Sequence, residues 1–570
     1  MSAPDPEKKV AGLLAPVSSI RGKVDLGIGD TASLVEFASW AAAKGFGIVQ
    51  ILPVNESGAD HSPYNILSSM ALEPTTITTT PEWLPDLSKA EFEEICGRHD
   101  VPSLRKGPVA FSKVKALKSE LLRAAFRHFR SRGADPVRTR AFSKFQEAEG
   151  DWLEPYAAFR ALVEWNDTEV VDEWPAEHKS PAAVTEWVSE LPAPARRRFR
   201  DLERFYSYVQ WVARLQWKTV RAACDRLGIA LMGDIPVGVS IYSADVWSEP
   251  EIFDLTRSSG APPEKVFKSD PFTEKWGQNW GFPLYNWMAM SHDNFAWWRR
   301  RLHSACEIFQ YLRVDHALGF FRIYSFPWRP QENARFTELS PEEAQQLTGG
   351  RLPGFIERDD STEENRELNR RQGEMLFGIF LEETGKHRLI AEDLGEVAPY
   401  VRPTLETLEI PGFKIPQWER TWDGKMTAGT DYPRLSLATF ATHDHPPMRA
   451  FWDEWLEQSR DPETRDRAIH SMWEMLAFCG RTDLELPRPF DAEVHTTLVG
   501  GLFASNSWIA VHQITDLFGL AERFNVPGAV GDANWTTRLE GTPSEWDDLF
   551  RNQIAAATAA LKETGRTLKE

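Results

Sequence analysis

Tyr311-Leu-Arg-Val-Asp-His-Ala-Leu-Gly-Phe320 decides the reading of this chain. Its first residues are apolar or β-branched, the composition of a buried strand, and the run ends in charge. Arg313 stands two residues before Asp315, and residues two apart on a strand face the same side. The guanidinium is thereby placed to keep the carboxylate ionised, because a nearby opposite charge favours the charged form. An anionic carboxylate at the end of a buried strand is what a covalent nucleophile requires. Taken alone, an Arg-x-Asp pair is more often a structural ion pair.

Two further segments reverse that balance. Arg388-Leu-Ile-Ala-Glu-Asp-Leu-Gly395 is a short apolar run ending in Glu392 and Asp393. Leu435-Ser-Leu-Ala-Thr-Phe-Ala-Thr-His-Asp444 is a β-prone run ending in His443 and Asp444. Ile229-Ala-Leu-Met-Gly-Asp-Ile-Pro-Val237, which contains Asp234, Ile48-Val-Gln-Ile-Leu-Pro53 and, late in the chain, Ser507-Trp-Ile-Ala-Val-His512 read as further strands. Leu34, Phe37, Ala38 and Ala41 follow helical spacing after an Asp30-Thr31 start signal. Strands that end in acids, separated by stretches long enough for helices, fit a (β/α) barrel with its site at the C-terminal strand ends. Two carboxyl groups flanking a glycosidic bond are the minimal apparatus for breaking it. Asp234, Asp393 and Asp516 also fit strand-end or helix-cap acids, and His316 fits a residue packed behind Asp315.

The chain has 570 residues, and a barrel needs about 250. Roughly half of it must therefore be insertion. Residues 80–204 carry charged amphipathic helix patterns (111–132, 140–165, 183–205) and few strand signals. The expected division is a first part of the barrel in 1–79, a helical insertion in 80–204, and the rest of the barrel in 205–570. Smaller insertions are expected near 240–283, 330–367 and 447–500. Gly277-Gln-Asn-Trp-Gly281 reads as a mobile flap, with glycines bracketing an amide and an aromatic.

A net charge of −19 argues against a nucleic-acid backbone or an anionic membrane as partner, and leaves a neutral sugar open. The most apolar window, around 34–54, is broken by Glu36 and Lys44 and is no membrane span. Cys96, Cys224, Cys306 and Cys479 are far apart, with no Cys-x-x-Cys pair and no zinc-ligand spacing. They read as thiols in a reducing compartment, so a cytoplasmic protein is expected. The 23 tryptophans are weak support for a carbohydrate ligand, since most tryptophans are core.

Gly27-Ile-Gly-Asp30, Ser62-Pro-Tyr64, Gly233-Asp-Ile-Pro236, Ser243-Ala-Asp-Val-Trp247, Gly277-Gln-Asn-Trp-Gly281, Arg313-Val-Asp-His316, Ala391-Glu-Asp-Leu-Gly395, Thr442-His-Asp444, Asn525-Val-Pro-Gly528 and Asn534-Trp535 follow one another along nearly the whole chain. In that order and spacing the chain resembles the amylomaltases, 4-α-glucanotransferases of glycoside hydrolase family 77 in the α-amylase clan. The resemblance implies a (β/α)8 TIM barrel with large, mainly helical insertions on its C-terminal face. It implies a retaining double displacement that moves α-1,4-glucan segments to glucose or maltooligosaccharide acceptors. By resemblance Asp315 is the nucleophile, Glu392 the acid/base, and Asp444 a third acid that binds sugar hydroxyls. Arg313 and His443 stand beside them, Tyr64 stacks on the sugar, Asp234 gives polar support, and Gln278 and Trp280 belong to the flap. No metal or organic cofactor is implied.

The chain departs from the family pattern at His445, where asparagine is usual, and at His61, where an acid is common. Gly531-Asp-Ala-Asn-Trp-Thr-Thr-Arg538 lacks a second tryptophan. Ala317-Leu318 with Gly319-Phe-Phe-Arg-Ile323 resembles the family variant that acts on maltose and branched glycans. A glucan hydrolase using the same three acids and a non-catalytic glucan-binding protein remain alternatives. Donor length, acceptor preference, cyclic products and oligomeric state are not legible.

Overall fold

A computed structural model describes residues 5–131, 135–263, 270–527 and 534–568. Gly528 and residues 531–533 of the quoted motifs lie outside them, as do residues 264–269 of the expected 240–283 insertion. Eight parallel strands form a closed barrel. They are β1 (Val10–Leu14), β2 (Ile48–Gln50), β3 (Ala230–Ile235), β4 (Tyr311–Val314), β5 (Leu389–Ala391), β6 (Gly412–Lys414), β7 (Ser436–Ala438) and β8 (Ile509–Gln513). Neighbours in sequence are neighbours in the barrel, and β1 pairs with β8 from Val10↔Ile509 to Leu14↔Gln513 to close it.

The strand period of two sorts the side chains. Leu14, Ile48, Met232, Tyr311, Ile390, Phe413 and Leu437 share one apolar cluster inside the barrel. Leu13, Val49, Leu231, Leu312 and Leu389 join the larger core beneath the helices. Counting on by twos from Met232, Tyr311 and Ile390 arrives at Asp234, Arg313 and Asp315, and Glu392. The residues that fill the barrel floor and those that line its mouth thus lie on the same strand faces.

The helices are built by ordinary signals. In α1 (Thr31–Ala43) the Asp30 side chain accepts the Ser33 N–H at the N-cap. Between β2 and β3 lie α2 (Phe111–Phe129), α3 (Pro136–Asn166) and α4 (Ala193–Leu227). No glycine or proline interrupts α4 after its first turn until Gly228, which ends it in the left-handed conformation. The division expected at 204/205 therefore falls inside one continuous helix, whose first half packs on α3 and whose last turns lead into β3. Before β8 comes α8 (Met448–Gln458), α9 (Arg465–Phe478) and α10 (Ala492–Ala504), numbered after α5 (Ala296–Ile308), α6 (Glu363–Thr384) and α7 (Val401–Thr407). The end of the 447–500 stretch, expected as insertion, is α10, which packs on β8 and on α11 (Arg551–Glu563) as a barrel helix does.

The seam between β1 and β8 is fastened by Arg566. Its buried guanidinium donates to the carbonyls of Val10, Phe503, Ser505, Ser507 and Trp508. Above the opposite side of the barrel a small antiparallel sheet joins Ser258–Ala261, Gln278–Asn279, Ile323–Phe326 and Gly354–Ile356. Its strands come from the segments that follow β3 and β4. Among the described residues no helix is long and apolar enough to cross a membrane.

The run expected as a strand from Leu435 to Asp444 is a strand only over Ser436–Ala438. The Thr439 N–H still bonds to Lys414, but the Thr439 hydroxyl then donates to the Ala441 carbonyl, and the chain turns off the barrel wall. Asp444 reaches the mouth from a loop.

Gly233 lets β3 pass the ring of Phe309: an added Cβ would lie 2.5 Å from Cδ2. Gly233→Ala should lower stability by about 1–3 kcal/mol, read as a fall in the unfolding midpoint, and should lower activity as well by displacing Asp234. An unchanged midpoint would mean that β3 has slack that the packing denies.

Candidate active site

Arg313 is the centre of the barrel mouth, and its side chain is 4% exposed. Its register partner on β3 is Asp234. One guanidinium nitrogen, Nη1, lies 2.7 Å from each Asp234 carboxylate oxygen and 3.0 Å from Asp315 Oδ1. The other, Nη2, is 3.9 Å from Glu392 Oε2. Burial opposes the positive charge of Arg313, but Asp234, Tyr64, Asp315 and Glu392 outweigh it and raise its pKa well above the ordinary value.

Asp315 follows the last residue of β4. Its backbone N–H bonds to Ile235, and its Oδ2 accepts the Val237 N–H at 3.3 Å. The carboxylate is thus fixed between Arg313 and the backbone after β3. Glu392 follows β5, with its own N–H on the Val314 carbonyl. Burial pushes its carboxyl well above the usual carboxylate range; Arg313 opposes this and the negative charge of Asp315 reinforces it. Its Oε2 accepts the backbone N–H of His316 at 2.8 Å. That N–H is aimed by a left-handed backbone at His316, with φ of 44°, a strained choice for a residue with a Cβ. The His316 ring is pushed down to about 4 by burial, against the pull of Asp315, and is neutral.

A second set of contacts runs from Asp234 to Asp444. The Tyr64 hydroxyl donates to Asp234 Oδ2 at 2.7 Å, and its ring stacks on His443 at 4.9 Å. His443 Nε2 lies 3.2 Å from Asp444 Oδ2. Asn525 donates its amide to Asp444 Oδ1 at 2.6 Å, and Arg523 binds the Asp444 carbonyl. Withdrawal into the cleft would raise the pKa of Asp444; His443 and the hydrogen bonds from His443 and Asn525 overcome it and hold the carboxyl below the usual range. Trp535 closes this group, 6.2 Å from the Tyr64 ring and 5.8 Å from His443.

The flap residues stand on the other side. Trp280 sits edge-on over the His316 ring at 4.8 Å, and its indole N–H donates to Gln278. Among the described residues Gln278 makes no hydrogen bond to the acids and joins them only through Trp280 and His316. Asp393 faces away, as alternation along the strand requires, and binds the Phe413 N–H and Arg402. Asp516 is fully buried, accepts the Met448 N–H at the start of α8, and is pushed up to about 7 by burial. His61 stacks on Phe111 at 4.4 Å, beside the groove that Trp535 and Pro63 line.

Asp234, Arg313, Asp315, Glu392, Tyr64, His443, Asp444 and Trp280 are therefore linked through contacts around one mouth. Sequence reasoning assigned no role to Asn525, Arg523, Trp535 or the His316 N–H. Asn525 and Trp535 stood in quoted motifs, which was the available signal; the backbone of His316 had none.

One carboxylate held by a guanidinium and one carboxyl group whose pKa burial raises, at the C-terminal mouth of a (β/α)8 barrel, define an enzyme equipped for acid-assisted displacement at a glycosidic carbon. Residues 15–543 match the glycoside hydrolase family 77 model, described as 4-alpha-glucanotransferase. The chain belongs to this 4-alpha-glucanotransferase family. The 4-alpha-glucanotransferase of Chlamydia caviae is 30% identical over 559 residues, 95% of this chain and 93% of that one. That of Thermus thermophilus is 29% identical over 551 residues, 93% and 94% of the two chains. The fold is shared with an amylomaltase from Streptococcus agalactiae solved with acarbose, at a TM-score of 0.76 and 22% identity over 98% of this chain and all of that one. It is shared equally with an amylomaltase from Corynebacterium glutamicum, at 0.77 and 22% over 97% and 75%.

Asp234→Ala would strip the Arg313 cation of its closest partner. Removing one member of a buried pair should cost about 3 kcal/mol, measured by chemical denaturation. A variant as stable as the parent would show that Asp315 and Glu392 alone satisfy Arg313.

Proposed function

We propose that this enzyme moves α-1,4-glucan segments from a donor to a glucose or maltooligosaccharide acceptor by a retaining double displacement, with Asp315, Glu392 and Asp444 as its acids. The observation that carries the assignment of roles is the unequal hold of Arg313 on two carboxyl groups, 3.0 Å from Asp315 and 3.9 Å from Glu392. The first is paired with the cation and placed for attack, and the second has its pKa raised by burial, as a proton donor requires.

In the first step an Asp315 oxygen attacks the anomeric carbon while Glu392 gives its proton to the departing glycosidic oxygen. The bond to the leaving glucan breaks as the ester to Asp315 forms. In the second step Glu392, now a carboxylate, takes the proton of an acceptor hydroxyl, and that oxygen displaces Asp315. Asp444, held anionic by His443 and Asn525, binds hydroxyls of the donor sugar as its ring flattens. Tyr64 and Trp280 offer ring faces to the sugars on either side of the reacting carbon. Gln278, through its bond to the Trp280 indole, holds that face in place. Water is concentrated, so an acceptor at millimolar level wins only when it is bound and oriented, and positioning of this kind is worth several kcal/mol. The flap sheet supplies such a wall. The reaction as written uses only side-chain carboxyl groups. A cytoplasmic setting is supported by four thiols that are all free.

Incubation with maltotriose should yield glucose and a ladder of longer maltooligosaccharides with little net gain in reducing ends. A steady rise in reducing ends without longer products would make the enzyme a hydrolase. Trp280→Ala should move the balance toward hydrolysis.

Asp315→Asn should abolish transfer, with at least a 10³-fold loss in kcat expected for a missing nucleophile. Glu392→Gln should nearly abolish turnover of natural glucans yet spare the first step on a donor whose leaving group needs no proton. Equal loss on both donors would remove Glu392 from the acid role.

Glu392 acts as the acid only while protonated. Because its pKa is raised, kcat/KM should persist to pH values well above the ordinary glutamate value of about 4.3, and fall as pH rises through the raised value. An alkaline limb near the ordinary value would contradict the assignment.

A further inference from the structure

Of the 23 tryptophans, three are exposed: Trp418 (43%), Trp422 (99%) and Trp473 (46%). The other twenty are buried or half-buried, the ordinary fate of the residue. The three lie on two segments that are joined to each other. Trp418 and Trp422 belong to the chain that leaves β6, which folds into a hairpin in which Arg420 bridges Met426. Trp473 is on α9. Arg420 reaches across to Glu474, the next residue on that helix, at 2.6 Å. The hairpin is an ordered element: the Thr421 N–H bonds to Lys425, the Thr427 N–H to Glu419, and Asp423 pairs with Lys425 at 2.8 Å. Trp422 is held out at its tip with essentially no protein covering it.

The patch is continuous with the cleft. Strand β6 stands between the strand of Glu392 and the strand that leads to Asp444. Trp418 meets the ring of His445 edge-on at 4.7 Å, and His445 is the residue after Asp444. The Nδ1 of His445 accepts the Thr442 N–H and contacts the Thr442 hydroxyl at 2.8 Å. The remaining ring nitrogen, Nε2, therefore carries the hydrogen, and it has no hydrogen-bond partner among the described residues. A donor at the cleft wall is followed outward by a row of aromatic faces.

We propose that Trp418, Trp422 and Trp473 form a docking track on which a long α-glucan chain lies as it runs out of the catalytic cleft. The track rests on the glucan-transfer reading above and adds to it a selectivity for chain length. Pyranose rings present apolar C–H faces that stack on tryptophan, and their hydroxyls are neutral donors and acceptors. Asp423 and Glu474 beside the rings are each paired with a cation, which leaves the patch locally balanced, and an anionic polymer is disfavoured by the charge of −19. A second copy of the chain would carry the same net negative charge toward it.

The test is affinity electrophoresis of the intact enzyme in native gels with and without soluble amylose, beside kinetics on maltotriose and on amylose. Trp422→Ala and Trp473→Ala should each reduce retardation by amylose. They should lower kcat/KM on amylose about three- to tenfold more than on maltotriose, the weight of one lost stacking contact. Trp422→Tyr should restore part of the retardation. Both tryptophans are exposed, so their loss leaves the fold intact, which the unfolding midpoint checks. Unchanged retardation and equal loss on both substrates would overturn the track. So would light scattering that shows a dimer dispersed by Trp422→Ala, since the patch would then serve self-association. Absence of longer products from maltotriose with the parent enzyme would instead overturn the transfer reading, while amylose retardation would still report on the track.

Discussion

A single buried cation sets the terms for the rest of the mouth. Arg313 lies below the reach of bulk water, where an unpaired charge is costly, and it is neutralised from β3 by both oxygens of Asp234. The nitrogen that makes this contact also meets the carboxyl group of Asp315 from β4, and the other faces that of Glu392 from β5. Two such groups close together cannot both ionise without a penalty. The cation resolves the conflict unequally, because it lies nearer to Asp315 than to Glu392. Burial then decides the state of Glu392, raising its pKa against the weaker pull of the more distant cation, so two carboxyl groups of nearly the same type sit in different electrostatic settings.

The same arrangement ties Asp315 and Glu392 to Asp444. Asp234 accepts from Tyr64, Tyr64 stacks on His443, and His443 approaches Asp444. Every link is a side chain with a fixed partner on each side. Asp444 stands in a loop and has no strand to hold it, so its position depends on these contacts, on Asn525, and on α8, whose first N–H is capped by Asp516. A loop residue is thereby given the rigidity that Asp315 and Glu392 draw from the barrel wall.

What could be read from sequence follows from where periodicity exists. Strands β3, β4 and β5 end in charge after apolar residues, so alternation put Arg313 and Asp315 on one side of their strand and turned Asp393 away from Glu392, while the barrel register brought Asp234 and Glu392 to them. Strands β1 and β6 were not anticipated. β6 has three residues, too few for a pattern, and β1 owes its place to Ala11 and Gly12, small residues that carry little strand signal. The helix α4 was legible on both sides of residue 205, with the second half continuing the first as far as Arg226, yet a change in texture there marked a division that the backbone ignores. Tyr64, His443, Gln278 and Trp280 came from the family resemblance, because nothing in the spacing of loop residues reveals what they meet. The left-handed turn at His316 has no signature in residue type, for the residues that usually adopt it are glycine and asparagine.

The seam at β1 has a meaning for how the molecule is made. Val10 pairs with Ile509, and Arg566 clasps carbonyls from both sides of the join. On a ribosome β1 emerges first and β8 almost last, so the barrel remains an open, curved sheet through most of synthesis. Contacts of such long sequence separation form slowly, and unpaired strand edges invite association with other chains. β1 is short and nearly all apolar, an edge with no charge to protect it. The same closure that makes the finished barrel rigid leaves the growing chain with an exposed flank until its two ends, far apart in time, have met.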